Sequence, residues 1–337
     1  MNKYDELFEA LRTSWQVPWM QVAPSFISGR YDSLAVDCPF VFREDNHFAM
    51  TFIGFDGIGY RSGIATSGDL LHWRKEGMVI DRGEVGSPTE FNVALTWIMR
   101  DNDLYGSGEL QRVDGRLLGT YHAYPAPGYE TGPAAIGLCW SDDARHWQLE
   151  PFFLHSQEGA GWERGGLYKS CLVAHDGLYY LFYNAKNRDS WPWFEQIGLV
   201  TSRDLVHWER YAGNPVLPVG AAGTWDEQFA SDPYVLRAGD TWVMFYYGLA
   251  TDGHARNGVA FSDDLLHWEK APVPLIDVGA VGSMDSQYAH KPAIFFNRGT
   301  LYHYYCAVSP YPEVELNGVS TRELRGIGVR TSRLVHL

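Results

Sequence analysis

Six side chains able to do acid, base or anion chemistry stand at the heads of five apolar stretches: Asp37 before CPFVF, Glu90 before FNVAL, Lys169 before SCLVA, Asp232 before PYVL, and His290 with Lys291 before PAIF. Carboxyls carry protons or attack electrophilic carbon, while Lys and His bind anions and polar oxygens. If the five stretches converge, so many ionisable groups are costly to desolvate without a ligand, water or one another as partners. Convergence on a binding site is one reading; strand-end capping, with Asp paired to Lys around a wet channel, is the other. Further acids stand in connecting segments: Glu195 in WFEQIG just ahead of a strand-like run, Glu163 in GWERGGLYKS, and Asp226 and Glu227 in GTWDEQFASDP. Taken singly, such loop acids are expected to be solvated charges at a rim.

What would bring the stretches together is a repeat. TSGDLLHWRK (66–75), WSDDARHWQL (140–149), TSRDLVHWER (201–210) and FSDDLLHWEK (261–270) are near copies, and RTSRL near the end begins a fifth. Each copy follows a strand-like run with a central Gly, such as RSGIATS or QIGLVTS. Each is preceded by two more runs, as in DPYVLRAGDTWVMFYYG (232–248). A unit therefore reads as an apolar strand, a tight turn, an aromatic alternating strand, a loop, the Gly-bearing strand, the SxDLxHW turn and a last strand. Five four-stranded antiparallel meanders with almost no helical periodicity predict an all-β chain, a five-bladed β-propeller formed as one domain over 1–337. Residues 1–20 are expected to be a partly helical extension. The recurring Asp and Trp are assigned to architecture, locking each outer hairpin. The fifth copy lacks a last strand, and a segment within 21–31 is expected to supply it and hide the sheet edge. The second unit carries extra residues between its first strands, expected to form part of a rim.

Lys plus Arg number 27 against 41 Asp plus Glu, a net charge of −14 without long like-charge runs, which excludes nucleic acid as an expected partner. No window approaches the roughly 20 apolar residues of a membrane helix. Cys38, Cys139, Cys171 and Cys306 are widely spaced in apolar contexts and read as reduced, buried thiols, which places the chain in the cytoplasm. With 13 Trp and 20 Tyr the chain holds more aromatic surface than a core requires. Trp191 and Trp193, stiffened by the proline between them, are the best candidates for a flat platform under a ligand; packing under the rim is the alternative.

The SDPYVL stretch, the aromatic second strand and the S-D-x-x-HW turn resemble the five-bladed propeller glycosidases, meaning glycoside hydrolase families 43 and 32 and the related family 130. The resemblance covers nearly the whole chain from about residue 30. It implies cleavage of a glycosidic bond by two carboxyls, and Asp37 matches the position at which families 43 and 32 place the base or nucleophile. Those families take an acid from a later inner strand, where this chain has Lys169. The ranked carboxyls are Asp37, Asp232, Glu195 and Glu90. Family 130 includes phosphorylases, so Lys169, His290 and Lys291 are candidates for a phosphate site or, in hydrolysis, for binding sugar hydroxyls. In family 43 a fifth-blade His helps hold an axial metal ion or water; His290 raises the same question for Ca²⁺, although no ligand spacing supports it and no cofactor is required. The leading expectation is an exo-acting hydrolase of short oligosaccharides. A phosphorylase and a non-catalytic carbohydrate-binding propeller are the alternatives.

Overall fold

The computed structural model describes residues 3–187 and 193–335. Apart from one helix, Lys3–Ala10, and two short 3-10 turns, its regular elements are strands. Blade one comprises Ala35–Glu44, His47–Phe55, Tyr60–Ser67 and Arg74–Ile80, paired in that order. The first strands of blades two to five are Ala94–Ile98, Gly166–His175, Phe229–Ala238 and Tyr288–Asn297. Each innermost strand touches the next and the fifth touches the first, so five meanders close into a ring, a five-bladed β-propeller. Among the described residues no helix is long and apolar enough to cross a membrane.

The repeated turn is built alike in four blades. In blade one, the Ser67 hydroxyl accepts from the Leu70 N–H at 2.9 Å. Asp69 accepts from the N–H groups of Leu71 and His72, both at 2.8 Å. Leu70 adopts a left-handed conformation (φ 68°), which this web of side-chain acceptors holds in place. The Trp indoles then wedge between blades: Trp208 stacks on Phe153 of blade two, Trp268 meets Phe182 of blade three and Trp73 meets Tyr304 of blade five. The glycine of the third strand has an equally local cause. A Cβ at Gly198 would stand 2.5 Å from the Tyr183 ring, and one at Gly258 2.1 Å from Trp225, so an aromatic ring lies flat on bare backbone at each.

Three expectations are corrected. The strand that completes blade five is Trp15–Gln16, paired with Arg330 and Thr331 and followed by a bridge from Val22 to Ile327, rather than one within 21–31. Val17, next to this strand, is buried in the core and donates its N–H to the Val329 carbonyl, which holds the strand against this edge. Second, the loop acids Glu163 and Asp226 are buried, not solvated, and bind Arg210 and Lys270 of the outer strands of their own blades. Asp32 with Lys75 repeats the arrangement, and in blade five Asp285 binds Arg330 of the third strand, which makes it architecture. Third, the extra residues of blade two do not form a rim at the strand heads. They cross the far end of the axis: Arg43 N–H donates to Gly108, Arg237 N–H to Asn102 and Leu104 N–H to Arg237. The buried guanidinium of Arg100 donates to the Val41 carbonyl (3.0 Å), the Ile294 carbonyl (3.3 Å) and the Tyr234 hydroxyl (3.2 Å), tying three other blades together. The channel is thereby plugged at one end and open at the other.

Candidate active site

At the open end lies a pocket of about 580 Å³, lined by Glu130, Lys186, Glu195, His290, Lys291 and Arg325 among polar groups and by Tyr129, Trp193, Phe229 and Tyr247 among aromatic ones. The long hairpin Thr300–Leu316 and Val319–Thr331 walls one side. Its turn is latched to blade one by Asn317, which donates to the Asp56 carbonyl at 2.8 Å and accepts from the Ser28 hydroxyl at 2.9 Å. Blade two contributes the loop 124–134. It is pinned by the Tyr168 hydroxyl, which donates to the carbonyls of Gly132 (2.9 Å) and Glu130 (3.3 Å).

Three carboxyls line this pocket, Glu130, Glu195 and Glu323, and the first two lie in unlike surroundings. Glu195, the first residue of a third strand, is buried, and its Oε2 accepts from Ser231 (2.9 Å), Asn184 (3.0 Å) and Tyr247 (3.2 Å). Its Oε1 meets the Trp193 indole N–H at 3.3 Å and the Lys186 ammonium at 3.4 Å. Behind it stands Asp232, whose Oδ1 accepts from the same Ser231 and Asn184 while Oδ2 is buried without a partner. Burial, reinforced by Glu130 and Glu195 and only partly opposed by Lys291 and Lys169, pushes the Asp232 carboxyl up to about 6. Glu130 is the opposite case. Burial would raise its carboxyl, but Lys186, which it binds through Oε2, and Lys291, 3.5 Å from Oε1, hold it down at about 2.

The residues singled out in the sequence fall into three groups. Asp232, Glu195, Lys169, His290, Lys291 and Asp37 come together around the open end. Asp37 nevertheless sits beneath the pocket, wholly enclosed, with Oδ2 bound by Lys291 (3.2 Å), Arg325 (3.3 Å) and the Tyr60 hydroxyl (3.3 Å). Burial would raise its carboxyl, but Lys291 and then Arg325 hold it far below the ordinary range, as a permanent counter-charge. Lys169 is also sealed in, donating to the Pro292 carbonyl at 3.3 Å. Glu90 departs from its expected place. The inner strand of blade two starts only at Ala94, and Glu90 lies in the loop before it, accepting from the Gly86 N–H at 2.8 Å. Trp193 lines the pocket, whereas Trp191 lies outside the described residues.

A register detail separates the two aspartates. Each of four inner strands skips two residues of its partner ladder, at 38–39, 168–169, 232–233 and 291–292. Cys38, Asp232 and Lys291 share the first bulge position, each with positive φ before a proline, so Asp37 aligns with Ser231 and His290, not with Asp232.

Asp37, His290 and Cys306 are the one trio of possible metal ligands close together among the described residues. They do not fit Ca²⁺, which takes oxygen ligands. His290 Nδ1 faces the Cys306 carbonyl at 3.0 Å and so carries the proton, while Nε2 faces the Arg325 guanidinium at 3.3 Å. Burial, opposed by Asp37 and reinforced by Arg325 and Lys291, lowers His290 to about 3, which keeps it neutral.

Glu130, Lys186 and Arg325 were not anticipated. A faint signal exists: an aromatic–Glu pair, Tyr129–Glu130 and Phe194–Glu195, stands in the connection between second and third strands of both blade two and blade three.

Comparison with known proteins agrees with this architecture. The model of the glycosyl hydrolases family 32 N-terminal domain matches residues 116–284, just over half of the chain. Among solved structures, one described as a glycoside hydrolase is 27% identical, with a TM-score of 0.81 over 99% of this chain and 96% of its own. A second, described as a BT0996 RGII complex, is 29% identical, with a TM-score of 0.81 over 98% of this chain and 94% of its own. A third, from work on family 130 mannoside phosphorylases and glycoside hydrolases that target β-1,2 mannosidic linkages in Candida mannan, is 14% identical (TM-score 0.66, 94% of each chain) and shows the fold alone. No curated protein sequence matches the chain. A closed ring of five meanders, a pocket lined by carboxyls and this family match lead to one conclusion: the chain belongs to the glycosyl hydrolases family 32 N-terminal domain family, a propeller of the glycosidase kind acting on carbohydrate.

Proposed function

We propose that the protein is an exo-acting glycoside hydrolase whose reacting carboxyls are Glu195 and Glu130. The observation that carries this reading is that both line one pocket, closed at its far end, and share one ammonium, that of Lys186, which binds Glu130 Oε2 and lies 3.4 Å from Glu195 Oε1. Glu195, backed by the proton-holding Asp232, is the general acid: it protonates the glycosidic oxygen as the bond to the anomeric carbon breaks. Glu130, kept ionised by two lysines, attacks that carbon and forms a glycosyl ester. Water, deprotonated by the Glu195 carboxylate, then releases the sugar and frees Glu130. One ammonium touching both carboxyls favours the short separation of roughly 5–5.5 Å that goes with retention over the roughly 6.5–9.5 Å of inversion. Asp37 serves as anchor for Lys291 and Arg325.

Phosphorolysis is disfavoured by charge. Lys186 is taken by Glu130 and Glu195, Lys291 by Asp37 and Glu130, Arg325 by Asp37 and Glu323. Phosphate would have to displace carboxylates to bind. The test is a panel of aryl glycosides and short oligosaccharides, furanosides included, followed by NMR with and without inorganic phosphate. Free sugar of unchanged anomeric configuration, independent of phosphate, is expected. Sugar 1-phosphate formed only with phosphate overturns hydrolysis, and cleavage within long polymers overturns exo action.

A further inference from the structure

Lys186 lies at the end of the second strand of blade three, with its side chain only 7% exposed. Its ammonium binds Glu130 Oε2, lies 3.4 Å from Glu195 Oε1, and rests 4.1 Å from the centre of the Tyr168 ring. Tyr168 is the same residue whose hydroxyl pins the loop that carries Glu130. Glu130 itself has positive φ (48°), a conformation that an L-residue keeps only when its surroundings enforce it. A strand-borne cation is thus seated on an aromatic face and shared between a strand-borne and a loop-borne carboxylate. We propose that Lys186 is the positioning residue of the reaction, fixing the loop-borne Glu130 at a set distance from Glu195 so that one sugar meets both.

The inference rests on the catalytic roles proposed above. Its electrostatic corollary involves every charged group around Lys186: Glu130 from the blade-two loop, Glu195 from its own blade, Lys291 of blade five beyond Glu130, His122 of blade two, and Asp232 behind Glu195. Of these, Glu130 owes its low proton affinity first to Lys186. Removing the ammonium should therefore return Glu130 toward an ordinary carboxyl, near 4.3.

The experiment compares wild type with Lys186→Met, which keeps length and apolar stem, and Lys186→Arg, which keeps charge, using an aryl glycoside cleaved by the wild type. For Lys186→Met, kcat/KM should fall about 100-fold, the loss expected when reacting groups are misplaced by about 1 Å. The acid limb of its pH profile should rise by about two pH units, with Lys186→Arg restoring that limb but not the full rate. A folded Lys186→Met with wild-type rate and pH profile overturns the proposal. Should that variant fail to fold, Lys186→Arg decides: a wild-type kcat contradicts positioning, and a roughly 10-fold loss at an unchanged acid limb supports it. Glu130→Gln and Glu195→Gln run alongside separate the two readings. If either is fully active, the catalytic assignment falls. If both are inactive while Lys186→Met is normal, only the positioning role falls.

Discussion

The two ends of the propeller axis solve the same problem in opposite ways. At the closed end a buried cation, Arg100, donates to two backbone carbonyls and a tyrosine hydroxyl from three blades; among the described residues it has no carboxylate partner. Each partner is an uncharged dipole at neutral pH, since burial raises even the Tyr234 phenol, so the charge serves to tie the ring. At the open end Lys186, Lys291 and Arg325 are each shared between two carboxylates, and one neighbouring carboxyl, Asp232, is poised near neutrality. A propeller buries polar groups at both mouths; chemistry belongs to the mouth where those groups exchange protons and meet solvent.

The comparison is broken most strongly at the open end. Glu195→Gln or Glu130→Gln should lower kcat by about 10²–10⁴-fold, with the thermal midpoint nearly unchanged in a melting curve. Arg100→Met should do the reverse. Three acceptors lose their donor deep in the plug, so chemical denaturation should show a loss of about 3 kcal/mol while the folded fraction keeps its kcat. A catalytic defect in folded Arg100→Met would erase the distinction between the ends.

A smaller effect sharpens it. The acid role requires the proton that Asp232 helps to hold, and a group raised to about 6 loses that proton as pH climbs through 6. The value of kcat/KM should therefore decline above about pH 6, while Glu130, held at about 2, sets no acid limb until far lower pH. Asp232→Asn removes the group that titrates near 6, and the decline above pH 6 should disappear with it. An unmoved limb would detach Asp232 from the acid.

These two ends were not equally legible in the sequence. The SxDLxHW turns and the central glycines carried the fold, because a repeated residue meets repeated neighbours: Ser67 and Asp69 make the same bonds as Ser202 and Asp204. The heads of the inner strands were also visible, and Asp232, His290 and Lys291 do gather at the axis. What stayed hidden depends on loops and on depth. Glu130 sits in a Pro- and Gly-rich connection with no period to place it. Lys186 reads as an ordinary strand end. Asp37 reads as an active carboxyl in the sequence, where its three donors and complete enclosure cannot be seen. Glu90, ahead of FNVAL, reads as the head of an inner strand, but that strand begins four residues later and the loop of Glu90 repeats the turn of 220–227.

The central claim, that Glu130 attacks the anomeric carbon, is tested most directly by chemical rescue. Glu130→Gly, given an activated aryl glycoside and sodium azide, should regain turnover and release a glycosyl azide of configuration opposite to the substrate, because azide enters from the face that the carboxylate has vacated. An opposite-face azide from Glu195→Gly instead, or wild-type hydrolysis by Glu130→Gly without azide, would contradict the account.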